Sequence, residues 1–428
     1  MSMLILFLAF CTASAIGVPI YIGLGASSIV YLVFTNPSFL AMVPQRIFAG
    51  TDSFMMIALP LFILAGDLMN RGGITKRIID FSLHVVRPIK GGLAEVNVVA
   101  SMIFGGISGS SVADTSALGS ILIPAMEKKG FSKAYATGIT VASSTMGMII
   151  PPSVPMVTYA MVSGASIGKL FIAGLIPGLL IGVFQLIAVQ IYKRTKHLQL
   201  LDKPDKPMRS FLHEGKEGFL ALIMPLLIIG SIVFGIATPT ESAGIAVLYA
   251  ILIGFFVFKE LNLRDLPEIL RKTAASSASV MIIIGFSMIF GWVMAMEKVP
   301  EIIANFFLAL EINRVWVLLL LDLLILFIGT FLDVTPALLL ITPIFLPVAT
   351  HFGISPEQFG TIMIVGTAIG LVTPPLGMCL NAANKIAKMP IIDIFKAAFP
   401  FVLCNVVVLL LVTFVPEVSM WLPSVLMK

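Results

Sequence analysis

Charge is what this chain has least of. Only 11% of its 428 residues are Asp, Glu, Lys or Arg, against 58% hydrophobic, and the mean hydropathy is +1.07. A soluble domain carries about 25% charged residues. The balance excludes an ordinary soluble enzyme, a disordered chain and a nucleic-acid binder. So much apolar surface stays outside a core only in lipid, which leaves a polytopic membrane protein. Cysteine and histidine are also scarce. Cys11, Cys379 and Cys404 lie in apolar surroundings and imply no disulfide framework. His84, His197, His213 and His351 are not at ligand spacing from one another, which argues against a metal site built on histidine. There is no GxxxxGK[ST], so no P-loop to drive transport. No Lys or Arg precedes Arg46. The apolar start, with Thr12 to Ala15 resembling a cleavage site, therefore lacks the basic flank of a signal peptide and reads as a retained span. The net charge of +5 fits cytoplasmic loops rather than nucleic acid.

What is present is a series of apolar stretches, at about 1–16, 19–34, 54–70, 93–127, 134–162, 170–192, 218–236, 242–258, 274–296, 315–350, 358–384 and 397–415. A spanning helix needs ~20 residues. The 93–127 and 315–350 stretches are too long for one span and break at Gly105–Ser111 and Gly329–Asp333, which suits re-entrant hairpins. Basic residues cluster at 71–90, 128–133, 193–217 and 385–388, which places these regions in the cytoplasm. Counting outward gives about ten crossings, two hairpins and both termini outside.

The halves align at a shift of 223 residues: Pro44 meets Pro267, Pro124 meets Pro347, Pro151-Pro152 meets Pro374-Pro375, and Pro177 meets Pro400. Gly106, Gly130, Ser132 and Gly147 meet Gly329, Gly353, Ser355 and Gly370. The division predicted is a first repeat at 1–192, a basic cytoplasmic linker at 193–217 and a second repeat at 218–428. Each repeat has an odd number of crossings, so the second is inverted. The fold class predicted is an all-α polytopic membrane protein of two inverted repeats. Each repeat holds a hairpin (93–127, 315–350) and a broken helix (134–162, 358–384), an arrangement typical of secondary transporters.

Four polar breaks form two matched pairs: the tips Ser108–Asp114 and Gly329–Thr335, and the broken spans Ser143–Ser153 and Gly366–Pro375. Each double proline removes two backbone donors and ends the helix before it. Freed carbonyls with Ser and Thr hydroxyls are hard ligands suited to an alkali cation, and half-helix N-termini attract an anion. Asp333 at its tip is the strongest acidic candidate. Asp114 fits a site role and a helix-start role equally. Asp67 and Asp322 read as pairing or interface residues, and Glu241 as a cap.

The Gly-Ile-Ser-Gly-Ser-Ser-Val-Ala-Asp tip, Ile-Ile-Pro-Pro-Ser, Ala-Thr-Pro-Thr-Glu and Val-Thr-Pro-Pro-Leu-Gly resemble the large (M, DctM-like) membrane subunit of TRAP transporters, over essentially the whole chain. Ser242 after Glu241 departs from the more usual Ala without touching function. The resemblance implies an elevator-type fold similar to sodium/anion transporters. It also implies sodium as coupling ion in the bacterial inner membrane, a small four-helix Q subunit, and a secreted P protein delivering an organic acid anion. Sialic acid is taken over a C4-dicarboxylate as the cargo. Two sodium sites are expected. Ser108, Ser110, Ser111, Gly147 and Met148 form one, and Gly329, Thr330, Asp333, Thr335, Thr367, Gly370 and Thr373 the other. The anion is assigned to Ser110, Ser111, Ser153, Asp333, Thr335 and Asn381. The chain is expected not to be an enzyme: Ser110 has no Lys or His beside it in sequence to act as base. A stand-alone sodium/carboxylate symporter is the nearest rival reading, and a channel a weaker one.

Overall fold

Glycine and serine set where the helices begin, and they do so twice. Gly130 (φ +88°) and Gly353 (φ +80°) turn the chain in the left-handed region, and two residues later Ser132 and Ser355 cap the next helix. Their hydroxyls accept from Tyr135 N at 3.3 Å and Gln358 N at 3.2 Å. The computed structural model describes residues 2–86, 92–196, 211–309 and 313–427. Among them the regular structure is helical, with no strand.

The 223-residue register holds element by element. Ile20–Thr35 corresponds to Pro239–Leu252, and Ile74–Val86 to Val299–Ala309. The arms Leu93–Ser108 and Ser111–Lys128 of the first hairpin correspond to Arg314–Phe331 and Val334–His351. The half-helices Lys133–Ser144 and Val154–Ser163 correspond to Pro356–Gly370 and Met378–Ala387, and Ile167–Lys196 to Ile391–Phe414. Seven described helices are long and apolar enough to cross a bilayer, two of them the arms of the second hairpin, and five shorter apolar helices accompany them.

Three segments differ from the sequence expectation. Ile74–Val86 and Val299–Ala309, read as parts of loops, are helices. The first buries Ile74, Ile78, Ile79, Ser82 and Val86 along one face while Lys76 and Asp80 point outward. That amphipathic stripe is too short to register as a span. The stretch read as 274–296 begins earlier, its helix starting at Leu266 and continuing unbroken to Met296. Its counterpart is interrupted at Asp52-Ser53, between Val43–Thr51 and the helices that lead to Arg71. The predicted linker at 193–217 falls mainly on 197–210, outside the described residues, as do Arg87 and Lys90.

Lipid gives helices little hydrophobic drive to associate, so close approach of small residues and polar contacts hold them. A Cβ on Gly138 would lie 2.6 Å from the Ala397 carbonyl carbon, so Lys133–Ser144 meets Ile391–Phe414 nearly backbone to backbone. Each broken helix sends its second half to the other repeat's hairpin: Val154–Ser163 packs on Val334–His351, and Met378–Ala387 on Ser111–Lys128. Residues 260–272 of the second repeat are tied to the first repeat by Lys272–Asp67 (2.6 Å), Arg71–Asp265 (2.8 Å) and Arg77–Glu260 (2.7 Å). The Arg77 bond holds Asp265's neighbourhood to the helix Ile74–Val86, and the Arg71 guanidinium keeps the Asp265 carboxyl below its ordinary pKa. Glu241 completes a capping box with Thr238, as its motif indicates.

Candidate functional site

At the first tip the helix Leu93–Ser108 stops at Gly109, whose φ of +62° suits glycine and whose Cβ position lies 3.1 Å from Pro152 O. The tip therefore rests on the backbone of the first break. Ser110 caps the return helix, accepting from Ala113 N at 3.4 Å. Ser108 Oγ accepts from Ser110 N at 3.2 Å and donates to Asp114 Oδ1. Asp114 is fully buried one turn into the helix. Its Oδ2 has no hydrogen-bond partner, and neither has the buried hydroxyl of Ser111. Gly147 faces them: a side chain there would collide with the Asp114 carboxylate and approach Ser110 C at 3.2 Å. Ser108, Ser110, Ser111, Asp114 and Gly147 thus converge.

The break itself follows from proline chemistry. Pro151 and Pro152 have no N–H, which frees the carbonyls four residues back, on Gly147 and Met148. Met148 O is taken by Ser153 Oγ at 2.5 Å, and the Cβ position of Gly147 is directed at the tip. The second break repeats this. Pro374 and Pro375 offer no donor to the carbonyls of Gly370 and Leu371, which accept instead from Thr373 N at 3.0 Å and Cys379 N at 3.1 Å.

At the second tip Asp333 stands at the position matching Ser110 and caps Val334–His351, its Oδ1 accepting from Val334 N at 2.8 Å. Asp333 as a whole residue is exposed, unlike Asp114. Gly329 lies against the break, its Cβ position 3.1 Å from Thr367 Cα and 3.3 Å from Gly370 Cα. Leu376 N donates to Thr330 O at 3.3 Å, tying tip to break. The hydroxyls of Thr330, Thr367 and Thr373 donate to Phe327 O (2.8 Å), Met363 O (2.7 Å) and Ile369 O (2.8 Å), which leaves their lone pairs free. Gly329, Thr367 and Gly370 are brought together, with Thr330 and Asp333 on the tip beside them and Thr335 half-buried in the first turn. Ser153 caps Val154–Ser163, and Asn381 Nδ2 donates to Leu376 O at 2.5 Å.

The arrangement offers helix N-termini at Ser111, Val154, Val334 and Met378 for an anion, and hydroxyl, carboxylate and carbonyl oxygens for a hard cation. Among the described residues no group of three His, Cys, Asp or Glu converges as a metal site. Sequence reasoning undervalued Asp114, whose signal was an acid in an apolar stretch. It passed over the buried amides Asn97, Gln185 and Asn405, which carry the same signal in neutral form.

The family model of the tripartite ATP-independent periplasmic transporter, DctM component, matches residues 5–418. The chain belongs to this family. It is 38% identical over 408 residues to the sialic acid TRAP transporter large permease protein SiaM of Vibrio cholerae, covering 95% of each. It is 35% identical over 401 residues to the C4-dicarboxylate TRAP transporter large permease protein DctM of Pseudomonas aeruginosa, covering 94% of this chain and 93% of that one. The crystal structure of the YdaH transporter of Alcanivorax borkumensis matches with a TM-score of 0.63 at 15% identity, covering 90% of both chains, a likeness of fold. The TRAP permease is an integral membrane transporter subunit and not an enzyme.

Proposed function

We propose that this TRAP permease carries an organic acid anion into the cell by sodium symport, taking it from a periplasmic binding protein and working with a small membrane subunit. One observation carries the reading: each hairpin tip lies backbone to backbone on a proline-broken helix, at matching positions of the two repeats. Non-helical backbone at membrane depth is tolerated only where protein covers it or it lines a cavity. Here it gathers oxygens suited to sodium.

In this reading the first sodium is held by Ser108, Ser110 and Ser111 with the carbonyls of Gly147 and Met148, and Asp114 supplies the negative charge. The second is held by Gly329, Thr330, Thr367, Gly370 and Thr373 with Asp333 and Thr335. The anion lies between the tips, against the helix N-termini and the side chains of Ser110, Ser111, Ser153, Asp333, Thr335 and Asn381. Bound sodium offsets the anion's charge, lowering the cost of moving it through the apolar layer. The tips and broken helices move as one body past a scaffold braced by the interfacial helices. The membrane is the bacterial inner membrane, with both termini periplasmic. The names of the relatives support sialic acid or a C4-dicarboxylate as cargo, and sialic acid is preferred.

Reconstitution tests this. Permease and small subunit in liposomes are expected to accumulate sialic acid only with an inward sodium gradient and the loaded binding protein, with a Hill slope for sodium above one. Uptake without the binding protein selects the stand-alone symporter, and uptake indifferent to sodium overturns the coupling.

A further inference from the structure

The first break is held from behind by two side-chain amides that the second break does not have. Gln185, on Ile167–Lys196, and Asn405, on Ile391–Phe414, are both fully buried. Gln185 Nε2 donates to Asn405 Oδ1 at 2.9 Å and to Ala142 O at 3.1 Å. Asn405 Nδ2 donates to Thr145 Oγ1 at 3.0 Å and to Ala142 O at 3.4 Å. Thr145 Oγ1 donates to the same carbonyl at 2.7 Å. A carbonyl only accepts, so both amide nitrogens must turn toward Ala142 and the orientation of the pair is set. All four amide hydrogens are thereby used.

The bracket grips one particular place. Ala142 lies in the last turn of Lys133–Ser144, and Thr145 opens the short 3-10 turn Thr145–Met148 that presents Gly147 to Asp114. It reaches that place from the closing long helices of both repeats. Repeat symmetry does not call for it. The positions matching Ala142, Thr145 and Gln185 are Val365, Ala368 and Val408, and the position matching Asn405 is Gly182. None of these has a side-chain hydrogen-bonding group. Buried amides are costly unless their donors are placed. Here three of the four donations go to the first break and the fourth joins the two amides, with only Gln185 Oε1 left without a partner, so the asymmetric pair is a built device.

We infer that Gln185 and Asn405 are positioning residues that preorganise the first cation site by fixing the direction of the break's carbonyls, and that they make the two cation sites unequal. This rests on the sodium reading above. The first site is ready before ion entry. The second is shaped by the tip itself, through the Leu376 to Thr330 bond and the Gly329–Gly370 approach. Cation affinity typically falls when groups that orient the ligands are removed, by about 10–100-fold in metal sites.

The test uses the full permease with its small subunit and binding protein in liposomes. Gln185→Met keeps the length of the side chain and Asn405→Leu its approximate volume, and both remove the donors. Each is expected to raise half-saturating sodium about tenfold, while the rate at saturating sodium stays within about twofold, a split that loss of folded protein would not produce. Asn405→Gln, which restores donors, is expected to recover part of the sodium affinity. Hydrogen–deuterium exchange supplies a readout independent of transport: in both variants segment 145–150 should lose protection while 368–373 keeps its own. If wild-type uptake ignores sodium, the sodium reading fails and exchange alone decides the bracket. Unchanged sodium dependence in both folded variants, or unchanged protection of 145–150, overturns the proposal.

Discussion

Asp114 shows what a single residue does when helix geometry and burial act together. It lies in the first turn of its helix, where a carboxylate is favoured by the helix dipole, yet one of its oxygens is left without a partner. In the proposed sodium reading, a cation completes this buried, half-satisfied acid opposite Gly147. Asp114→Asn keeps the shape and removes the charge, so it is expected to raise half-saturating sodium about tenfold or more, read from uptake against sodium concentration, with the folded yield unchanged. Glycines give a second check at this scale. A Cβ on Gly105 would meet Met146 O at 2.9 Å and Gly147 Cα at 3.0 Å, both backbone, so Gly105→Ala should destabilise by about 1–3 kcal/mol. Gly244, in a helix with nothing within 4 Å, should accept Ala with a gain of about 0.4–1 kcal/mol. Unfolding midpoints in detergent distinguish the two.

The hairpins and broken helices were legible in the sequence because prolines and glycines announce them. Pro151-Pro152 and Pro374-Pro375 act locally, through missing donors, so their effect needs no tertiary knowledge. The helices Ile74–Val86 and Val299–Ala309 were not legible. Lys76, Arg77 and Asp80 on one face lower the average hydropathy, and only the buried stripe of Ile74, Ile78, Ile79 and Val86 reveals the helix. The interruption at Asp52-Ser53 in the first repeat and the continuity of its counterpart Leu266–Met296 were equally hidden. At the site, the tip residues were found by composition, whereas Gln185 and Asn405 meet over 220 residues of sequence and only the fold joins them. Capping was local and therefore readable. Thr238 and Glu241 close both ends of a capping box, and Thr238→Ala should cost about 1 kcal/mol in thermal unfolding of the purified permease.

Taken whole, the molecule crosses its broken helices between repeats. Val154–Ser163 and Met378–Ala387 each reach the opposite hairpin, so tips and breaks are packed into one body. The helix Leu266–Met296 borders that body: a Cβ on Gly291 would lie 3.8 Å from Pro343, on the second hairpin. If the body moves as an elevator, cysteines at these two positions should crosslink in one state and trap it, stopping uptake until reduced. A pair that stays in register in both inward- and outward-open states would mean rocking or gating instead. The most direct measurement for the whole account follows radiolabelled sodium and anion together in liposomes holding the complete transporter. The account predicts more than one sodium entering with each anion, and fewer in Asp114→Asn. Anion uptake with no accompanying sodium would contradict it.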